Sequence, residues 1–314
     1  MIAFGPVPSR RLGRSLGVNN IPPKRCSYSC IYCQVGATSR REMVRRAFHP
    51  LEDVVGAVQR KVEACKVAGA VIDHITFVPD GEPTLDVNLG AEIRALKSLG
   101  IPLAVITNGS LLWDPQVRAE LAAADRVSVK VDGTTPEVWR RVNRPHRRLE
   151  LDAMLAGILD FAGAYGGELL SETMLVGGSN DDVESVEGVV AFLEKLAPRR
   201  AYLAVPTRPP ASPRARPPDE EAVVRAYRIM TDKLASVELL VTGEEGPFGH
   251  TGDPAQDLLA ILAVHPMREA AVEQYLAEVG AGQHRVHELL RRGSVAKVEY
   301  QGEPFYVRRF SISH

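Results

Sequence analysis

The sequence predicts an α/β protein built on a parallel sheet, closed into a complete or partial barrel, with a small appended tail. Three observations carry this. Strand-like apolar runs alternate with amphipathic stretches as far as about residue 241, the pattern of repeated βα units. The pattern then changes from about residue 254 to closely spaced helices followed by a hairpin. The length, 314 residues, suits one large α/β domain with an appendage.

In chain order the strand candidates are SLGVN (15–19), HITFV (74–78), LAVIT (103–107), RVSVKV (126–131), LLSETMLV (169–176), AYLAV (201–205) and VELLV (237–241). They are short and rich in β-branched residues, and their near-continuous apolar character fits strands covered on both faces. Between them, amphipathic stretches near 51–69, 89–99, 115–123, 151–164, 182–196 and 219–235 read as the crossover helices. The proline-rich segment 206–218 follows a strand and reads as a lid over the site.

In the tail, DPAQDLLAILAVHP reads as a helix capped by Asp253 or Asp257 and stopped by Pro266. MREAAVEQYLAE and QHRVHELLRRG read as two more helices, ended by Gly280 and Gly293. VAKVEY, QGEP and FYVRRF then alternate as a hairpin around a Gly-containing turn. Three helices and a hairpin suggest a winged helix-turn-helix domain over 254–314, behind a barrel over 1–245. Its core would draw on Leu258, Leu259, Ile261, Leu262, Val272, Leu276, Val286, Leu289, Val298 and Tyr300. Seven Lys or Arg balance seven Asp or Glu from residue 254 onward, a poor balance for duplex DNA. Peptide or protein binding is the other use of such a domain.

Composition excludes several classes. Hydrophobic residues are 45%, charged residues 25% and the formal net charge −1, which is ordinary for a globular protein. No apolar run approaches the roughly 18 residues that span a bilayer, so no membrane association is expected. The first residues, MIAFGPVPSRRLGRS, lack a basic start followed by an apolar core. A cytoplasmic location, where thiols stay reduced, is the expectation.

That expectation sharpens the meaning of RCSYSCIYCQVG, residues 25–36. Three of four cysteines fall within eight residues, at Cys26, Cys30 and Cys33, between loop-like NNIPPKR and QVGATSRRE. A structural zinc would want a fourth ligand. The remaining cysteine, Cys65, falls on the apolar side of a helical stretch and reads as core. Three thiolates with an open fourth position suit a [4Fe–4S] cluster.

The C-x3-C-x2-C spacing with an aromatic, Tyr32, before the last cysteine resembles the radical S-adenosylmethionine (SAM) superfamily. The resemblance implies a partial (β/α)6 TIM-like barrel, a [4Fe–4S] cluster on Cys26, Cys30 and Cys33, and SAM chelated by the cluster's unique iron. One electron, from a donor such as flavodoxin or ferredoxin, then cleaves the sulfonium to a 5′-deoxyadenosyl radical. Gly81-Glu82-Pro83 resembles the motif that binds the methionine amino group, with Asp80 where a glycine is more common. Asn108, Lys130, Asp132 and Gly177, at later strand exits, resemble positions that meet the ribose, carboxylate and adenine.

SRRLGRSLGVN, GEPTL, TNG and ETMLVGGSND together resemble the wyosine tRNA-modification branch. That branch carries a second cluster on three further N-terminal cysteines, whereas here no cysteine precedes Cys26. It also uses an imine-forming lysine, for which Lys24 and Lys130 are candidates. Arginines concentrate after strands: Arg40, Arg41, Arg45 and Arg46; Arg140, Arg141, Arg144, Arg147 and Arg148; Arg208, Arg214 and Arg216. Guanidinium forks on one face would favour an anionic substrate, tRNA among the candidates. Two other readings stand beside it: radical modification or activation of a peptide or protein recruited by the tail, and a non-enzymatic iron–sulfur regulator.

Overall fold

Each parallel strand but the last hands the chain to a helix whose apolar stripe returns to the sheet. The computed structural model describes residues 1–38, 40–240, 253–264 and 266–309. Val241 and the expected domain boundary at 245 lie outside the described residues.

β1 (Ala3–Ser9) and β2 (Gly13–Val18) form an antiparallel hairpin. From β2 onward the sheet is parallel and in chain order: β3 (His74–Phe77), β4 (Leu103–Thr107), β5 (Arg126–Lys130), β6 (Glu168–Met174), β7 (Arg200–Ala204) and β8 (Val237–Leu240). The helices are α1 (Leu51–Val67) after β2, α2 (Leu89–Leu96) after β3 and α3 (Pro115–Leu121) after β4. α4 (Pro136–Val142) and α5 (Leu151–Ala164) follow β5, α6 (Val183–Leu196) follows β6 and α7 (Glu220–Thr231) follows β7. Six βα units and one closing strand thus form a curled sheet whose edges, β1 and β8, do not pair. The expected partial barrel is present.

The helices obey their local chemistry. α1 buries Val54, Val58, Val62 and Cys65, one stripe at helical spacing. Cys65 is fully buried there, where the apolar reading put it. Asp114, Asp182 and Asp219 accept hydrogen bonds from the first-turn amides of α3, α6 and α7. Two elements differ from expectation. β1 was hidden by Pro6 and Pro8, which an edge strand tolerates because half of its amides need no ladder partner. α4 starts at Pro136 after a Thr135 cap and lies in the arginine-rich stretch after β5.

The tail comprises α8 (Pro254–Val264), the two-residue β9 (Met267–Arg268), α9 (Glu269–Glu278), α10 (His284–Arg291), β10 (Val295–Tyr300) and β11 (Glu303–Arg308). The hairpin extends to a three-stranded sheet in the order β10-β11-β9. Residues 267–268, read as the start of the second helix, are strand because they pair with Phe305 and Tyr306. Val298 and Tyr300 are only half-buried, and Val295, Phe305 and Tyr306 fill the core instead.

The tail's core does not close on itself. Phe4 and Val7 of β1 lie in the same apolar cluster as Leu258, Ile261 and Tyr275. Lys61 of α1 forms a 2.9 Å ion pair with Asp257 of α8, both side chains largely buried. The tail is therefore seated on the barrel's antiparallel edge.

Candidate functional site at the cluster loop

The loop carrying Cys26, Cys30 and Cys33 leaves β2 at the carboxyl end of the parallel strands, where α/β barrels assemble their chemistry. It is held by backbone from two directions. The Ile31 amide donates to Val142 O (2.9 Å) and the Ser29 amide to Asn143 O (3.1 Å), so the segment after α4 straps it down. On the other flank the Glu82 amide donates to Arg25 O (2.9 Å) and the Lys24 amide to Asp80 O (2.8 Å). Gly81 makes that approach possible: a Cβ there would stand 1.8 Å from Arg25 O.

The three thiols are half-buried. Burial pushes the Cys30 thiol up to about 12, and burial likewise raises Cys26 and Cys33. Thiols in such surroundings ionise when a bound cation compensates the charge. Among the described residues no three Cys, His, Asp or Glu side chains converge tightly enough for one metal ion. A lone tetrahedral ion needs sulfurs about 2.3 Å from its centre, whereas a [4Fe–4S] cluster places each thiolate on a separate iron. The donor set fits the cluster.

Two carboxylates brace this loop from below, each through an asparagine. Glu82, 1% exposed, accepts from Thr84 N (3.1 Å), Thr84 Oγ1 (2.6 Å), Thr107 Oγ1 (2.6 Å) and Asn108 N (2.8 Å). Asn108 then donates Nδ2–H to Ser27 Oγ (2.9 Å) and to Cys26 Sγ (3.6 Å). Asp132 accepts from Tyr32 OH, from Asn143 Nδ2 (2.6 Å) and from Met174 N (2.8 Å). Asn143 Nδ2 also lies 3.6 Å from Cys30 Sγ. Hydrogen bonds to ligating sulfurs tune a cluster's potential.

The structure thus brings together the cysteines, Tyr32, Gly81, Glu82, Asn108 and Asp132. With four donors on it, the Glu82 carboxylate joins two strand exits. Pro83 opens a short 3-10 turn whose Thr84 supplies two of those donors. Gly177 follows Val176, which packs with Ile31 and Tyr32, and its amide donates to Arg216 O (2.9 Å) of the proline-rich segment. Lys130 pairs with Glu172 and stands 5.5 Å from the Tyr32 ring centroid, while Arg11 takes the other Glu172 oxygen. Lys24 sits on the opposite flank with Cys33, Asp80 and Cys26 as its titratable neighbours, and burial lowers its pKa.

Tyr28, Trp139, Asn143, Arg11 and Glu172 were not singled out by the sequence reading. Trp139 donates Nε1–H to Tyr28 OH (2.9 Å), fixing the cluster loop to α4. Their signal was faint because each acts through tertiary contact: Tyr28, Arg11 and Glu172 lie inside quoted motifs that do not mark them, and Trp139 and Asn143 lie outside any.

The arginine runs separate. Arg40, Arg41, Arg46 and Arg148 line one basin with Arg25. Arg45 is taken up by Glu120 and the carbonyls of Thr84 and Asp86. Arg141 donates to Ser179 O (2.9 Å), and Arg208 to Gln34 Oε1 (2.9 Å) beside Cys33. Only part of the expected basic face, Arg40, Arg41, Arg46 and Arg148, gathers in that basin.

An open parallel barrel with three thiols on the loop after its first parallel strand has the form of an α/β protein with a cysteine-based metal site. A model of the radical SAM superfamily matches residues 20–193, over half of the chain. A UPF0026 protein of Methanocaldococcus jannaschii is 41% identical over 309 residues, covering 98% of this chain and 96% of its own. A solved radical SAM methyltransferase from Sphaerobacter thermophilus has a TM-score of 0.56 at 18% identity, over 73% of this chain and 67% of its own. TYW1 with a lysine–pyruvate adduct bound has a TM-score of 0.54 at 16% identity, over 71% and 74%. These two likenesses are of fold. The chain belongs to the radical SAM superfamily, whose members are enzymes using a [4Fe–4S] cluster and SAM. No helix among the described residues is long and apolar enough to cross a membrane.

Proposed function

We propose that Cys26, Cys30 and Cys33 hold the [4Fe–4S] cluster of an enzyme that cleaves SAM reductively and abstracts hydrogen from an anionic substrate, with tRNA as a candidate. The observation that carries this is the pair of asparagine amides, Asn108 and Asn143, each 3.6 Å from a different loop sulfur and each tied to a buried carboxylate. When bound, the cluster and SAM supply the electron transfer and the radical. The chain's own groups orient and shield: Glu82 and Asp132 hold the asparagines, and Tyr32 is fixed by Asp132. The backbone around Gly81 and Pro83 and the strand exits at Asn108 and Asp132 would hold SAM, with Gly177 on the proline-rich side.

The barrel floor supports the anionic substrate. Arg11 and Lys130 share one carboxylate, Glu172, and Arg10 and Arg208 lie near Arg11, so cations predominate beneath the site. Lys130, the better placed of the two lysine candidates, would bind a substrate anion there or react as an amine.

A second reading, recruitment of a peptide or protein by the winged-helix-like tail, is favoured by one contact. Tyr300 OH donates to Pro206 O (3.2 Å), so the tail's hairpin reaches the root of the proline-rich segment. Reconstituted, reduced protein should release 5′-deoxyadenosine from SAM, faster when its substrate is present. Adding unmodified tRNA or the cell's peptide fraction in separate reactions distinguishes the two substrates; no release under reducing conditions would refute the proposal.

A further inference from the structure

The basin beside the cluster loop is unexplained by the reading above. Its volume is ≈570 Å3, and Arg25, Arg40, Arg41, Arg46, His146 and Arg148 bring five guanidinium groups to it against one carboxylate, Glu42. On a chain of net charge −1 this is a marked local concentration. None of Glu82, Asn108, Lys130 or Asp132 lines it, so it opens away from the groups assigned to SAM.

It nevertheless backs directly onto a cluster ligand. Arg25 precedes Cys26, Arg41 forms a β-bridge with Cys26, and the Glu42 amide donates to Cys26 O (2.9 Å). The basin is also built. Glu42 pairs with Arg25 and with Arg46 (3.1 Å), and Arg41 donates to the carbonyls of Arg144 and Pro145 (both 3.0 Å). Arg40 and Arg148 remain exposed at its rim.

The basin also contains an apolar spot: Val44, 70% exposed, with Met43 beside it. Protein–protein interfaces combine apolar contact with a charged rim, whereas a phosphate chain has no use for an exposed valine. Residues 40–46 and 146–148 together thus present charge, an apolar contact and the flank of Cys26 on one surface.

We propose that this basin docks an acidic one-electron carrier protein, delivering its electron to the cluster across the Cys26 flank. The inference rests on the cluster assignment above. In the step, the carrier is oxidised by one electron and the cluster goes from its 2+ to its 1+ state, with no proton or bond change. Opposite charge accelerates such encounters and makes them salt-dependent.

The test uses full-length reconstituted protein and its Arg40→Glu/Arg148→Glu double variant. Cluster reduction is followed by stopped-flow absorbance with a reduced, strongly acidic flavodoxin, and separately with reduced methyl viologen, a small cation. Binding of the oxidised flavodoxin is measured by calorimetry. At low salt the variant should be reduced by flavodoxin at least ~10-fold more slowly and bind it correspondingly more weakly, while methyl viologen reduces both proteins alike. The difference should shrink at high salt, as screening requires. Equal flavodoxin rates and affinities in the two proteins would overturn the docking proposal. So would a variant that loses only its affinity for tRNA. A wild type that holds no reducible cluster with either reductant would instead overturn the cluster assignment.

Discussion

Gly81 shows how much a single hydrogen atom can decide. Its Cα hydrogen faces Arg25 O, where a methyl carbon would sit 1.8 Å away. Gly81→Ala should therefore push the cluster loop off the Glu82 amide and destabilise the protein by roughly 1–3 kcal/mol or more. Iron content after reconstitution and the melting temperature check this; both unchanged would mean the loop yields easily. Glu92 supplies a second residue-scale prediction. It is fully buried on α2, with Asn20 as its hydrogen-bonding side chain and Asp86 as a nearby like charge. Burial, with Asp86 adding repulsion, raises it from 4.5 to about 8. Because the folded value is the higher one, stability is fullest below about 4.5 and falls as pH rises toward 8. Glu92→Gln should thus be more stable than the parent at pH 8.5, by on the order of 5 kcal/mol at most, and nearly equal to it at pH 4.5. An unaltered difference across that range, by thermal denaturation, would contradict it. Such residues are silent in sequence: nothing in LGAEIRAL marks one glutamate of an amphipathic helix as interior.

At the scale of elements, α4 and the strap that follows it matter most to the site. Trp139 and Asn143 reach the cluster loop from there, and residues 142–146 hold it by backbone. Trp139→Phe removes the Nε1–H donor to Tyr28 and should cost about 1–2 kcal/mol. The assembled cluster should also bleach faster in the presence of a chelator, and an unchanged bleaching rate would show that the strap alone suffices. The long elements were legible because each repeats its period over enough residues: Leu151–Ala164 and Leu103–Thr107 begin and end where the pattern does. α4 was not, because PEVWRRV mixes apolar Val138, Trp139 and Val142 with Arg140 and Arg141 inside an arginine-rich run. β1 was not either, because its prolines argue for loop until an edge position makes them acceptable. The three loop cysteines were legible from spacing alone, whereas the carboxylate–asparagine braces arise from strand exits that meet only in the fold.

For the whole molecule, the seat of the tail has a stability consequence. Phe4, 1% exposed, and Val7 are covered by α8 and its neighbours. A chain ending at Gly252 should expose both, bind a hydrophobic dye and melt well below the full chain. An equally stable truncated chain would show that the tail is only tethered. The cluster assignment organises everything else. The most direct measurement is iron content with electron paramagnetic resonance of the reduced protein, made on the parent and on four single variants, each cysteine changed to alanine. The parent should hold about four irons per chain and give a signal that SAM perturbs. Cys65→Ala should match it, and the Cys26, Cys30 and Cys33 variants should lose the SAM-responsive signal. A full cluster signal in any of those three variants, or its loss in Cys65→Ala alone, would contradict the assignment.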